Sequence, residues 1–260
     1  IKDMASILLP NSSLFENFYD VKEKGFFSWE SLLSEIRLEN DKVSVRSLIP
    51  TTDTVKYSFL LKSFETKNMP LILVGDPGTA KTVTLSSYLK SLDPEQKNLL
   101  NINFSSRTSS MEVQRTLENL CDKRRPGLYC PKGNKKLVVF IDELHMPQKD
   151  RYNTQQPIAL VRFLIEKGIM YERGGQLERR KFLDINFLCA LLPPGGGFNK
   201  VDPRFLTLFN IIGISFPESS NVEKIYNTIL NKTLESFSKE CRELVPKITA
   251  ATIFRYNTIS

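Results

Sequence analysis

The sequence predicts an α/β fold: a parallel five-stranded sheet between helices, followed by the start of a helical subdomain. Three observations carry this expectation. From about Pro70 onward, short apolar runs alternate with amphipathic segments, the pattern of strands buried on both faces and joined by covering helices. The first of these runs passes straight into a glycine-containing loop and a helix, in "LILVGDPGTAKTVTL", Leu71 to Leu85. The third closes on two adjacent acids, in "KKLVVFIDELHMP".

Taken in chain order, "GFFSWESLLSEI" reads as a helix behind a Ser28 cap, and "LIPTTDTVKYSFLLKSF" as a second helix behind Thr-Asp start signals. Strands are expected at Leu71–Gly75, Leu99–Phe104, Lys136–Asp142, Ile185–Leu192 and Ile211–Phe216. Helices are expected at Lys81–Lys90, Ser109–Asp122, Gln156–Lys167, Pro203–Phe209 and Asn221–Glu240. "GIMYERGGQLERRKFLDI" carries a Gly-Gly turn between short extended stretches and reads as a β-hairpin. A boundary near residue 50 divides an N-terminal helical connecting segment (1–50) from the α/β subdomain (51–218). The helical subdomain begins at 219 and reads as truncated.

A chain of 260 residues, 41% hydrophobic and 25% charged, buries a substantial core. No apolar run approaches the roughly 18 residues of a membrane span. The start, "IKDMASILLPNSS", has neither an initiator methionine nor a signal-peptide arrangement, so the chain reads as a piece of something longer. Cys121, Cys130, Cys189 and Cys241 are widely spaced with a single histidine beside them. That spacing favours neither a zinc site nor a disulfide framework, and a reducing compartment is the expectation. The net charge of +7 is concentrated in part in "DKRRPGLYCPKGNKK", Asp122 to Lys136, with six basic residues against one acid. Clustered cations collect phosphates or acidic partners. The segment is also punctuated by prolines and glycines, as a solvated basic loop would be, and no aromatic-interleaved surface argues for nucleic acid.

The loop after the first strand nearly fits the phosphate-binding pattern G-x-x-x-x-G-K-[ST]. Gly75, Asp76, Pro77, Gly78, Thr79, Ala80, Lys81, Thr82 and Val83 are the candidate nucleotide-binding residues. Backbone N–H groups and the helix start face phosphate, Lys81 supplies a charge to the β- and γ-phosphates, and the Thr82 hydroxyl coordinates magnesium. The departure is Ala80, where the pattern has glycine. A methyl group there costs about 1–2 kcal/mol if the backbone needs positive φ and little if it does not. In the second element, a buried strand carries Asp142 to the metal and Glu143 to a position from which it can polarise water. Asp142 and Thr82 are therefore the candidate metal residues, and Glu143 the candidate catalytic one. His145, without evident ligand partners, reads as a loop residue following the acidic pair.

Beyond these motifs, the runs "PTTDTVKYSFLL", "GDPGTAKT", "NFSSRTSSMEVQRTLE", "DKRR", "VVFIDELHMP", "QQPIALVRFLIEKGIMYER" and "PPGGGFNKVDPRFLTLFNII" follow in order. Together they closely resemble the third AAA+ module of dynein heavy chains, the axonemal ones more than the cytoplasmic one, over nearly the whole chain. The resemblance implies an AAA+ P-loop NTPase large subdomain in a ring of six linked modules, binding ATP or ADP with magnesium. It also implies the cytoplasm and cytoskeleton of the cilium or flagellum axoneme as location, and as partners neighbouring modules, microtubules through other parts of the heavy chain, and dynein intermediate and light chains. Neither nucleic acid nor membrane is implied. Lys81, Thr82, Asp142 and Glu143 match the family's motifs. Leu192 stands where a polar sensor residue usually ends the fourth strand, Phe198 where an arginine commonly follows the glycines, and Thr207 where relatives often carry arginine. Arg204 is either a finger toward a neighbouring nucleotide or the partner of a surface acid.

The reading that results is a nucleotide-binding module that regulates a microtubule motor, its own hydrolysis slow or absent. Two alternatives stay open: a ring segment that has lost nucleotide binding, and a free-standing AAA+ ATPase.

Overall fold

The computed structural model describes residues 14–21, 23–35, 48–195 and 199–259. They fall into two units, one running from residue 60 to 216 and the other made of the described residues up to 59 together with those from 217 onward.

The first unit is built on a sheet of five parallel strands. In chain order these are β3 (Leu71–Gly75), β4 (Lys97–Asn103), β7 (Lys136–Asp142), β10 (Ile185–Leu191) and β11 (Asn210–Ile214), arranged as β11-β3-β10-β7-β4. The three central strands are mostly apolar because helices cover both faces, the exceptions being Lys136 and Asp142 at the ends of β7 and buried Asn186 on β10. Leu71, Ile72 and Leu73 of β3, Leu137 and Ile141 of β7, and Leu188 and Cys189 of β10 are all fully buried. Each such aliphatic side chain stabilises the fold by roughly 1.5–3 kcal/mol. The edge strands β4 and β11 alternate in burial, since each has one neighbour and partial cover.

The covering helices are α3 (Lys81–Lys90), α4 (Ser110–Asn119), α5 (Gln156–Lys167) and the short α6 (Pro203–Leu206). Ser109 closes a capping box with Glu112 at the start of α4. Gly168, at φ 65°, ends α5 in the left-handed conformation. Valine and leucine on one side of α4 and α5, including Val113, Leu117, Val161 and Leu164, join the sheet in a single core.

A second sheet, in the order β5-β6-β9-β8, comprises β5 (Cys121–Arg125), β6 (Leu128–Pro131), β8 (Ile169–Tyr171) and β9 (Arg179–Phe182). The hairpin expected around Gly174–Gly175 is β8–β9. The segment expected to be a basic loop is instead the hairpin β5–β6, turning at Pro126–Gly127. Accordingly α4 stops at Asn119 rather than running to Asp122, because Cys121 and Asp122 are taken into pairing with Pro131 and Cys130. The strip from Pro203 to Phe209 is helical only to Leu206, tight turns at Leu208 and Phe209 leading into β11.

In the other unit, β1 (Asn17–Asp20) and β2 (Gly25–Ser28) form an antiparallel hairpin, and α1 (Trp29–Glu35) follows directly. The helix expected behind the Ser28 cap is α1, and the Ser28 hydroxyl accepts from the Glu30 N–H, while the residues just before it, Gly25–Ser28, are strand. Phe18, Phe27, Trp29 and Phe59 pack ring on ring, Phe59 lying on α2 (Thr52–Thr66). The long helix expected over Asn221–Glu240 is divided into α7 (Ser219–Thr233) and α8 (Lys239–Glu243), with α9 (Val245–Ile259) beyond. Ser238 takes an extended conformation at the start of α8, which ends the continuous helix. No described helix is long and apolar enough to cross a membrane.

Candidate functional site

Gly75 is the last residue of β3 and its hydrogen is enforced by packing: a Cβ there would stand 2.4 Å from the Ile214 carbonyl oxygen of β11. Gly78 is required for a different reason, a φ of +84° in otherwise open space. Between them Asp76 and Pro77 carry the chain outward, and the Thr79 hydroxyl donates back to the Asp76 carbonyl at 2.8 Å.

Ala80 occupies the N-cap position of α3 at φ 61°, ψ 23°, the left-handed region. The glycine of the phosphate-loop pattern thus stands where only glycine is unstrained, and alanine carries that strain here. Ala80 has no side-chain hydrogen bond to offer, so the first-turn N–H groups of α3 keep no side-chain acceptor from their cap, as an anion site at a helix start requires.

The Lys81 side chain turns back over the loop. Its Nζ donates to the Gly75 and Asp76 carbonyls, both at 2.7 Å, and only 9% of the residue is exposed. Burial lowers the Lys81 pKa, while the carboxylates of Glu143, Asp142 and Asp76 raise it. The partners that take the place of water around the ammonium are the Gly75 and Asp76 carbonyls and the Thr79 hydroxyl at 3.4 Å. Thr82 and Val83, next along the first turn of α3, are exposed.

On β7, Asp142 is buried at the strand end and accepts the Glu143 N–H on its own Oδ1 at 3.0 Å. Glu143 lies at φ 54°, a left-handed conformation uncommon outside glycine and one found where function or tight packing imposes it. Its carboxylate is half exposed and lies 3.4 Å from Nε2 of buried His145. Burial lowers the His145 pKa below its ordinary 6.5, against the opposing pull of Glu143 and Asp142. The sequence reads His145 only as a loop residue following the acidic pair, without this contact. A histidine two places after the acid carries no distance information, and only the left-handed turn at Glu143 brings the imidazole back to its carboxylate.

Beyond β10, Leu192 is half-buried and, with His145, Arg162 and Asp202, lines a cavity of about 520 Å³. An apolar side chain does stand at the strand end. Phe198 lies outside the described residues. Arg204 is exposed on α6 and has no ion-pair partner among the described residues. The nearby acid, Asp202, accepts from Arg162 at 3.2 Å and from the Arg204 backbone N–H at 2.9 Å. The Thr207 hydroxyl donates to the Arg204 carbonyl and helps end the helix.

A strand, a phosphate-type loop closed by a lysine, and an acidic pair ending a second strand of the same parallel sheet define a P-loop nucleotide-binding protein of the α/β class. Residues 36–217 match the family described as the P-loop containing dynein motor region, and the chain belongs to that family. It is 41% identical over 258 residues to the dynein-1-alpha heavy chain of the flagellar inner arm I1 complex from Chlamydomonas reinhardtii, covering 98% of this chain and 6% of that one. It is 37% identical over 247 residues to human dynein axonemal heavy chain 10, covering 95% of this chain and 6% of the relative. Identity to human dynein axonemal heavy chain 2 is 36% over 253 residues, with 96% and 6% covered. The chain thus spans about 6% of the length of these relatives.

Proposed function

We propose that this chain is a magnesium-dependent ATP- or ADP-binding AAA+ module, its large subdomain spanning 51–218, that regulates a microtubule motor of the axonemal dynein type. The observation that carries the nucleotide reading is Lys81: a nearly buried ammonium at the start of α3, folded on the loop carbonyls and charge-coupled to Glu143, Asp142 and Asp76. Residues 75 to 83 hold the phosphates, with Gly78 and the strained Ala80 shaping the loop around them.

The donors suit magnesium. They are one buried carboxylate, Asp142, and one exposed hydroxyl, Thr82, both hard oxygens, and among the described residues no cluster of three or more acidic, histidine or cysteine groups competes as a self-contained metal site. A magnesium–nucleotide site draws most of its ligands from phosphate and water. Bound there, the ion supplies neutralisation of phosphate charge. Glu143 serves as the residue that orients and polarises water. Leu192 cannot assist it through a hydrogen bond, and turnover by this module is accordingly slow or absent.

The relatives are flagellar and axonemal dynein heavy chains, which supports the cytoskeleton of the cilium or flagellum as location. Neighbouring AAA+ modules of one heavy chain as direct partners, and microtubules and intermediate and light chains reached through other parts of that chain, are proposed from the family resemblance. A static segment without nucleotide is the second reading, favoured by the alanine at φ 61° in the loop.

Calorimetric titration with magnesium–ADP and magnesium–ATP separates the two. Wild-type protein should bind, and Lys81→Ala should weaken binding by about tenfold to over a hundredfold, the worth of a charge-assisted contact of roughly 1.5–3 kcal/mol. Equal affinity in both proteins would overturn the assignment of the site.

A further inference from the structure

The second sheet gathers charge that its own fold does not use. Lys123, Arg124 and Arg125 lie on β5, and Arg179 and Lys181 on β9; all five are exposed, and none has an ion-pair partner among the described residues. Strand register brings them together although β5 and β9 are far apart in sequence. Arg125 pairs with Leu128, Leu128 pairs with Lys181, and the Lys181 N–H donates to the Gly127 carbonyl at 2.7 Å. With strands about 4.8 Å apart, two steps across the sheet keep the rows within about 10 Å, close to one screening length at physiological salt. Two acids, Asp122 and Glu178, stand against the five cations.

Arg180, between Arg179 and Lys181, shows what a structural arginine looks like here. It is partly buried, bonded to Glu118 and Glu172, and lies over the Tyr129 ring. The five exposed cations have none of this. Protection of a sheet edge explains lysine or arginine on β5, the end strand of its sheet. It does not explain Arg179 and Lys181, because β9 is an interior strand between β6 and β8.

We propose that this strip docks an extended acidic protein segment, added as a further strand along the outer edge of β5 with its carboxylates on Arg124 and Arg125 and within the field of Arg179 and Lys181, three strand spacings or about 14 Å away. The edge of β5 offers main-chain donors and acceptors in the pattern that strand addition uses, and the cations select carboxylate-bearing side chains. Nucleic acid fits less well. Single strands need open aromatic faces, whereas Tyr129 and Phe182 are stacked on each other at 5.3 Å, Phe182 is buried, and Arg180 covers Tyr129.

The probe is a fluorescein-labelled alternating Glu-Val dodecapeptide, titrated by anisotropy into the full-length protein at low and raised salt, beside a thymidine dodecanucleotide. The peptide should bind, weaken as salt rises, and lose at least about tenfold in affinity in an Arg124→Glu/Arg125→Glu protein and, separately, in Lys181→Glu, with thermal midpoints of all three proteins alike. Amide exchange should slow within β5 when peptide is present. Should a charge reversal unfold the sheet, Arg124→Ser/Arg125→Ser, which removes charge without adding any, gives the same reading. Unchanged peptide affinity in folded variants, no slowing of exchange in β5, or tighter binding of the oligonucleotide that depends on the same residues would overturn the proposal.

Discussion

Replacing Ala80 by glycine tests the strain in the phosphate loop directly. Ala80 sits at φ 61°, ψ 23°, where an L-residue with a Cβ is disfavoured by roughly 1–2 kcal/mol. Glycine removes that cost but loses about 0.5–1 kcal/mol more conformational freedom on folding. The balance is a gain of about 0.5–1 kcal/mol. For a unit of this size the gain corresponds to a melting-temperature rise of about 1–4 °C. The Ala80 carbonyl accepts the Thr84 N–H at 2.9 Å, opening the α3 ladder, and glycine at the same φ and ψ retains that bond. The assay is a thermal melt of both proteins without nucleotide, followed by calorimetry with magnesium–ADP. The expected result is a higher melting temperature together with tighter nucleotide binding, since no methyl group then adjoins the phosphate-facing amides. A lower melting temperature for Ala80→Gly would refute the reasoning, because it would mean that the backbone at residue 80 is not left-handed in the folded protein.

Gly75→Ala should do the opposite: its Cβ would meet the Ile214 oxygen at 2.4 Å, forcing β3 and β11 apart at a cost of about 1–3 kcal/mol, visible as an earlier melt. His145 supplies a pH dependence of definite sign. Its folded pKa lies below its ordinary 6.5, so the unfolded chain binds the proton more readily, and stability is full above about 6.5 and lost as pH falls through that value and below. Denaturant midpoints measured between neutral and mildly acid pH should fall more steeply for wild type than for His145→Gln, and parallel curves would refute the assignment. Glu143→Gln should leave the low turnover of this chain nearly unchanged; in the full-length protein it should raise ATP occupancy of this site and alter gliding velocity. Equal velocities with ADP bound in both proteins would count against a regulatory cycle.

The parts of the fold legible in the sequence are those whose state is decided locally. β3, β7, α3 and α5 run over the residues their apolar patterns mark, because central strands buried on both faces and helices with one buried side leave an unbroken period. The ends of β4 and β11 shift by one or two residues, as edge strands with mixed burial allow. The β5–β6 hairpin was not legible at all. "CDKRR" carries no apolar alternation, and its extended state depends on pairing with β6, itself paired with β9 from much further along the chain. The break between α7 and α8 escaped for a related reason, since Ser238 in an extended conformation is one choice among several for a serine-rich stretch. In the site, residue types and their order could be read, but conformation could not. Whether Ala80 was strained turned on a single φ. The nearness of His145 to Glu143 turned on another, at Glu143 itself.

That local geometry bears on why such a site would hold nucleotide better than it turns it over. Binding draws on groups already in position: a helix start whose cap offers no side-chain acceptor, and a lysine whose bonds to the Gly75 and Asp76 carbonyls can be exchanged for phosphate oxygens. Turnover needs more, a water held in line and charge supplied to the leaving phosphate. Glu143 can address the water, but Leu192, just beyond β10, has no polar atom in its side chain with which to help. Arg204 is exposed on α6, and Asp202 is already engaged by Arg162. Of the two sequence readings of Arg204, pairing with a surface acid therefore has no support among the described residues. On the proposed reading, slow turnover of the chain by itself follows from Leu192, which offers the water no hydrogen bond, and Arg204 stays a candidate finger toward a neighbouring module.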